Sequence, residues 1–434
     1  MDTKYKKIIV EISRVILGLV FVFSGFVKAV DPLGNAYKIQ DYLTAFEFTD
    51  FNSWVIPISF LQAAIEFGVG VCLLLGVYRH ISSVLVLLIM VIMTPLTLYL
   101  AIANPVSDCG CFGDALVITN WQTFYKNIFL LIAAVIVYLW YRSMTPFFTK
   151  RAYIATVVWI CIFILGFIFY SYRYLPVFDF RPYKIGTNIP EKIKIPENAA
   201  HDIYEVQLIY SKDGKEQKFT VKNYPKNDTT WTFVDSRSHL IKEGYHPPIH
   251  DFSIMTANED DITEEVLSNP SYTFLLIAHK LDKANDAHVD KINDIYDFSV
   301  KGGYGFYALT ASLPDEIQGW IEDSGAEYPF CTMDDITLKT IIRSNPGLVL
   351  IKNGTIIDKW PNRHLPGIAQ LNQLINETNQ GKMVKVHNFY TLLFLIVIFL
   401  LPLVGLYYID VTIFKKMKKR KHRHKHGHGH GYGH

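Results

Sequence analysis

Asp108-Cys109-Gly110-Cys111-Phe112-Gly113-Asp114 is a short loop between two long apolar runs, 81–103 and 123–141. The third run reads Val84-Leu85-Val86-Leu87-Leu88-Ile89-Met90-Val91-Ile92-Met93 at its centre, with no charge. A bilayer crossing takes roughly 20 such residues. Four further stretches, 8–30, 54–77, 152–172 and 388–410, are as long and as apolar. Half of the 434 residues are hydrophobic, a share that soluble domains also approach. Their clustering into six runs is what makes this a polytopic membrane protein. Five cysteines in so long a chain exclude a disulfide-stapled secreted scaffold. Mean hydropathy is +0.19 and the formal net charge +2, with no basic domain that would suggest nucleic acid.

The lysines and arginines set the expected orientation. Lys4, Lys6 and Lys7 precede the first run, Arg79 separates the second and third, and Arg142, Lys150 and Arg151 separate the fourth and fifth. A basic stretch, Lys415–Lys421, follows the sixth. Threaded alternately, all four places fall on one side, taken as the cytoplasm. The Cys109 loop and the large segment 173–387 then lie outside the cytoplasmic (inner) membrane. Both termini are inside. The first run is too long for a signal-peptide core, and Ser24-Gly25-Phe26-Val27-Lys28 is a poor cleavage site, so it is expected to remain as a helix.

Residues 1–172 read as a helical membrane unit and 173–244 as a β-rich extracytoplasmic segment. In the latter, Tyr204–Tyr210 alternates and Asp213-Gly214 supplies a hairpin turn before Lys218–Val221. Between 245 and 380 strands and helices alternate. Phe274-Leu275-Leu276-Ile277-Ala278 has the continuous apolar character of a strand buried on both faces, and Gly347–Ile351 with Thr355–Asp358 reads as a hairpin about Asn353-Gly354. This is an α/β sandwich. After the last run, 411–434 is a basic, His-rich cytoplasmic tail that cannot bury a core and is expected to be disordered.

Two resemblances refine this picture. Phe23-Ser24-Gly25-Phe26-Val27-Lys28 with Asp31-Pro32, Glu66 within the second run, and Cys109-Gly110-Cys111-Phe112-Gly113 resemble the DoxX/MauE family of small helical-bundle membrane proteins. The likeness covers roughly 8–145. It implies a bundle of four to five spans and a role in respiratory-type thiol or sulfur redox, or in maturing disulfide-containing partners. The outer segment resembles the TlpA/peroxiredoxin-like branch of the thioredoxin fold. His246-Pro247-Pro248-Ile249-His250-Asp251-Phe252 looks like its entry strand, and Asn345-Pro346-Gly347 followed by Lys352-Asn353-Gly354 like its cis-proline segment and hairpin. Where that family places Cys-x-x-Cys, this chain reads His279-Lys280-Leu281-Asp282-Lys283-Ala284-Asn285. The domain is therefore not expected to run dithiol exchange by itself. Joined, the halves resemble a two-module architecture of Bacteroidetes type.

The residues leave the chemistry of Cys109 and Cys111 open. A disulfide across a single glycine would be strained and easily reduced, and Gly110 permits the backbone it needs. The pair is either an exchange site facing an oxidising compartment or a static clip. Asp108 and Asp114 argue against reactive thiols by like-charge repulsion, and Lys28 would oppose them. Nearby His or a third Cys is missing, so metal binding has little support. Glu66, near the middle of its run, reads either as a proton carrier or as the partner of Arg14. Cys72 and Cys161 read as small apolar residues. Cys331 reads as core or as a thiol for a partner, and Pro346 as a cis residue bordering a partner-binding face. The tail histidines, His422, His424, His426, His428, His430 and His434, suit loose metal binding, and the basic stretch beside them suits anionic lipid.

The leading expectation is a membrane thiol–disulfide redox protein cycling Cys109 and Cys111. Electrons would pass to or from a quinone in the bundle, with Glu66 managing the proton and the outer domain docking an extracytoplasmic thiol protein. The alternative is a non-enzymatic envelope assembly or scaffold factor. A transporter is a weaker third reading, because no run is broken in the way transporter helices are.

Overall fold

The computed structural model describes residues 3–106, 108–196, 198–200, 203–226, 228–242, 244–381 and 388–427. Six of its helices are long and apolar enough to cross a membrane: Lys4–Val30, Asp50–Leu75, Arg79–Ala103, Asn120–Leu139, Tyr153–Arg173 and Asn388–Ile413. They coincide with the six runs read from the sequence.

The membrane unit comprises α1 (Thr3–Val30), α2 (Pro32–Ala45), α3 (Val55–Leu75), α4 (Arg79–Ala103), α5 (Asn120–Leu139) and α6 (Tyr153–Arg173). α1 lies against α3 and α4 against α5. Small residues set the α1–α3 crossing: a Cβ on Gly25 would lie 2.3 Å from the Phe67 backbone nitrogen, and one on Gly70 would lie 2.7 Å from that of Val22. In lipid, where apolar burial does not drive helices together, such close backbone approach supplies the packing. Leu17, Phe21, Leu73, Met90 and Leu130 fill the core between α1, α3, α4 and α5. α6 closes the other side through Ile160, Ile164 and Phe167.

α2 does not cross the membrane. Asp31 caps it by accepting from the Gly34 amide at 2.9 Å, and Pro32 occupies its first turn, where a missing N–H costs nothing. The helix lies at the end of the bundle that carries the Cys109 loop, between that loop and the α/β domain.

The outer domain holds a six-stranded sheet in the order β4–β7–β6–β5–β8–β9. In chain order these are β4 (Met255–Thr256), β5 (Tyr272–Ile277), β6 (Gly305–Thr310), β7 (Phe330–Thr332), β8 (Gly347–Lys352) and β9 (Thr355–Pro361). β5 runs parallel to β6 and antiparallel to β8, and it is buried along its whole length. Helices α9 (Val289–Gly302), α10 (Pro314–Ser324), α11 (Asp335–Ile341) and α12 (Ile368–Asn379) cover the two faces. Asn345–Pro346 is cis and leads into β8, as the thioredoxin-like reading required.

Three further strands, β1 (Ile203–Lys212), β2 (Lys215–Thr220) and β3 (Thr232–Lys242), form a separate antiparallel sheet in the order β2–β1–β3. The segment before it belongs elsewhere. Tyr183 and Ile189, the latter on the short helix α7 (Ile189–Ile193), are buried in the six-stranded core, and the Ile189 amide donates to Gly354 at 2.8 Å. Another short helix, α8 (Thr263–Ser268), completes that side.

α13 (Asn388–Gly427) carries the sixth span and continues into the basic stretch. The disorder expected from 411 onward therefore does not begin there. Lysine and arginine are good helix formers and prolong a helix already nucleated in the span. His428, His430 and His434 lie outside the described residues. α13 rests on α6, with Trp159 donating to the Phe399 carbonyl at 3.0 Å, and Asp410 accepts from the Thr149 amide at 2.7 Å.

Candidate functional site

The loop after α4 folds back into the mouth of the bundle. Gly110 takes φ +65°, a left-handed backbone that a side chain disfavours, and a Cβ there would meet Lys38 at 3.2 Å. This turn brings the Cys109 and Cys111 sulfurs to 2.7 Å from each other; both are thiols here. That distance is inside van der Waals contact and beyond the ~2.05 Å of a disulfide.

Two helices hold the loop. From α2, Tyr42 donates its hydroxyl to the Cys109 carbonyl at 2.8 Å, and Lys38 pairs with Asp108 at 2.7 Å. From α1, the Lys28 ammonium donates to the Cys111 carbonyl at 2.9 Å. Lys28 is also paired with Glu66 of α3 at 2.7 Å and donates to Ser24 at 2.7 Å. The other Glu66 oxygen accepts from Gln62 at 3.1 Å. The sequence reading offered Arg14 as the partner of Glu66, and the structure corrects this. Arg14 pairs with Glu11 one turn away and donates to the Thr145 carbonyl at 2.8 Å, at the opposite end of α1.

The thiols, Glu66 and Lys28 line one cavity of ≈ 190 Å³. Ile89, Met90, Met93 and Leu96 of α4 form its apolar wall, and Lys126 of α5 adds a second ammonium, 4.2 Å over the Phe112 ring. The two thiols have opposite acidities. The Cys109 thiol is pushed up by its hydrogen bond with Cys111, in which either sulfur can donate, and by burial, which opposes its charge. Cys111 is brought down to about 7 by that hydrogen bond; burial opposes the shift, and Lys126 and Lys28 support it against Glu66. The repulsion expected from Asp108 and Asp114 is answered by pairing, Asp108 with Lys38 and Asp114 with Arg343 at 3.4 Å.

Arg343 ties the two halves of the molecule. It lies between α11 and the cis-proline, is 8% exposed, and pairs with Asp31 at 2.9 Å. Tyr37 of α2 lies under its guanidinium at 5.3 Å and under Lys339 at 5.1 Å, and meets the His279 ring edge-on at 6.4 Å. His279 opens the segment that follows β5. The face of the outer domain that carries His279 and the cis-proline loop is thus applied to α2. Pro346 and Cys331 are both buried, Cys331 within the sheet core, where burial pushes its thiol up. Neither is brought to the Cys109 cavity. Cys72 is half-buried and Cys161 exposed on the spanning helices. Among the described residues no three His, Cys, Asp or Glu side chains are grouped to hold a metal ion.

Sequence reasoning missed Lys126, Tyr42 and Lys38. The first sits inside an apolar run, where a lone lysine was a usable signal. The other two depend on α2, whose Asp-Pro start was legible as a helix N-terminus.

Residues 6–141 match the family model described as "Methylamine utilisation protein MauE", and 204–243, the three-stranded sheet, match a "Domain of unknown function (DUF8463)". No curated protein matches the chain. Among solved structures, "Solution structure of a putative protein disulfide isomerase from Bacteroides thetaiotaomicron" aligns at 18% identity over 30% of this chain and 85% of that one, with a TM-score of 0.24. "Solution Structure of a Putative Thioredoxin from Neisseria meningitidis" aligns at 15% identity over 31% and 92%, with a TM-score of 0.26. Residues 6–141, a stretch built of membrane-type helices, match the MauE family.

Proposed function

We propose that this multi-pass membrane protein is a thiol–disulfide oxidoreductase of the extracytoplasmic face of the inner membrane. Cys109 and Cys111 exchange electrons with a quinone seated at the cavity. One observation carries the reading: two thiols in contact share an apolar-walled cavity inside the bundle with the Lys28–Glu66 ion pair. In the oxidising step both S–H bonds break and one S–S bond forms. The two electrons and two protons reduce both quinone carbonyls to hydroxyls. Glu66, in contact with Lys28 and Ser24, takes and returns a proton. An extracytoplasmic thiol protein re-reduces the pair. Both termini lie in the cytoplasm under this orientation, which the distribution of lysine and arginine supports.

A scaffold reading is favoured by one observation: Cys331, the outer domain's single thiol, is buried. One experiment separates the two. Purified full-length protein in nanodiscs, reduced and desalted without oxygen, is mixed with a short-chain quinone substituted at every ring carbon, so that it cannot add to thiols. Loss of two thiols per chain with one quinol formed, abolished in Cys109→Ser and Cys111→Ser, supports the oxidoreductase. Persistent thiols contradict it and leave the scaffold.

A further inference from the structure

Lys126 lies about 9 Å along α5 from the helix start at Asn120, inside a span where an ammonium is costly and functional by default. Its neighbour in the cavity, Lys28, is fully engaged with Glu66, Ser24 and the Cys111 carbonyl. Glu66 is equally committed, to Lys28, Ser24 and Gln62. Among the described residues Lys126 has no carboxylate partner; its ammonium rests over the ring of Phe112, next in sequence to Cys111. The other charged or titratable groups lining this space are Lys38 and Tyr42 of α2 and Cys109 of the loop. Lys38 is spent on Asp108 and Tyr42 on a carbonyl. α4 contributes only apolar side chains and methionines. Among the described residues the cavity therefore holds one ammonium without a carboxylate partner, and its lining includes a thiol that becomes an anion on losing its proton.

We propose that Lys126 is the counter-ion of the Cys111 thiolate, so that Cys111 is the reactive sulfur and Cys109 its resolving partner. This deepens the oxidoreductase reading and rests on it for its purpose. The exposure of the two sulfurs agrees: Cys111 is half-buried while Cys109 is 6% exposed. Thiolates, not thiols, attack and leave in exchange, so a held anion fixes which sulfur acts first.

The test is the pH dependence of iodoacetamide alkylation at each cysteine, read by peptide mass spectrometry on reduced full-length protein in nanodiscs. In the unsubstituted chain Cys111 should react with a midpoint near 7 and Cys109 far more slowly; an ordinary thiol midpoint at Cys111 overturns the proposal without any variant. Lys126→Met and Lys126→Gln should each slow Cys111 at pH 7 by about fivefold, the loss of thiolate that one unit of midpoint causes there, and Lys126→Arg should restore the rate. A Cys111 profile unchanged in the neutral variants, or equally lost in Lys126→Arg, overturns the proposal and assigns Lys126 to packing on Phe112. No quinone enters this measurement. A chain that shows the Lys126-dependent profile yet fails to reduce quinone would refute the acceptor and leave the counter-ion standing.

Discussion

The Lys28 ammonium has three acceptors within 2.9 Å, one for each of its N–H bonds, and is 4% exposed. Such a group is tolerable in a span because every donor is satisfied and its charge is paired. Glu66 was legible as significant because a carboxylate in the middle of an apolar run has few bland explanations. Its partner was not. Helical depth alone allowed Arg14, and only the fold of the Cys109 loop onto α1 shows why Lys28 is the cation at that level. His279 poses the opposite case. The sequence resemblance set it at the opening of the segment after the buried strand; its surroundings came from packing. Burial, aided by Lys339, Lys280 and Lys283 and opposed by Asp335, holds its imidazole down at about 4. Tyr37 closes the remaining side. The folded state thus keeps His279 neutral where the unfolded chain would protonate it near 6.5. Stability from this residue is complete above pH 6.5 and is lost as the pH falls from there towards 4. The loss at pH 5 should be about 2 kcal/mol. Thermal midpoints of the full-length protein at pH 7 and pH 5 should fall less in His279→Phe than in the unsubstituted chain; an equal fall in both would contradict the assignment.

At the scale of elements, α2 decides how the molecule is put together. One side of it holds the Cys109 loop through Lys38 and Tyr42, and the other receives the outer domain through Tyr37, with Asp31 at its cap. The six spans were readable because twenty apolar residues admit little else. The strands at 272–277 and 347–352 were readable because a fully buried strand is a short unbroken apolar run. α2 carries neither signal. It is a polar helix of 14 residues whose worth lies in what it touches. Arg343→Ala would leave Asp31 buried without its counter-ion, a change of about 3 kcal/mol for a buried pair. Amide hydrogen exchange should then rise in both Pro32–Ala45 and Asp335–Ile341, with the bundle core unchanged. Unaltered protection in both helices would show that the outer domain is held by something else.

Across the whole molecule, a membrane bundle carries the thiols and an outer domain without accessible thiols is applied to the bundle's mouth. The sequence showed both modules and the missing Cys-x-x-Cys. It also led to the expectation that the outer domain presents a partner-binding face around Pro346. The structure places that residue inside, with the neighbouring surface covered by the chain's own α2. Contacts between residues 312 positions apart, as between Asp31 and Arg343, leave no periodicity to read. Through Arg343 the outer domain pairs with Asp114 of the Cys109 loop and with Asp31 at the cap of α2. The central claim remains that Cys109 and Cys111 turn over. It is tested most directly by the redox state of the pair in living cells, trapped by acid quench and maleimide mass-tagging with and without a respiratory block. Cys109→Ser and Cys111→Ser chains serve as references. The account predicts a mixed population that shifts when respiration stops. A fully oxidised pair that ignores the block would contradict it and make the loop a structural clip.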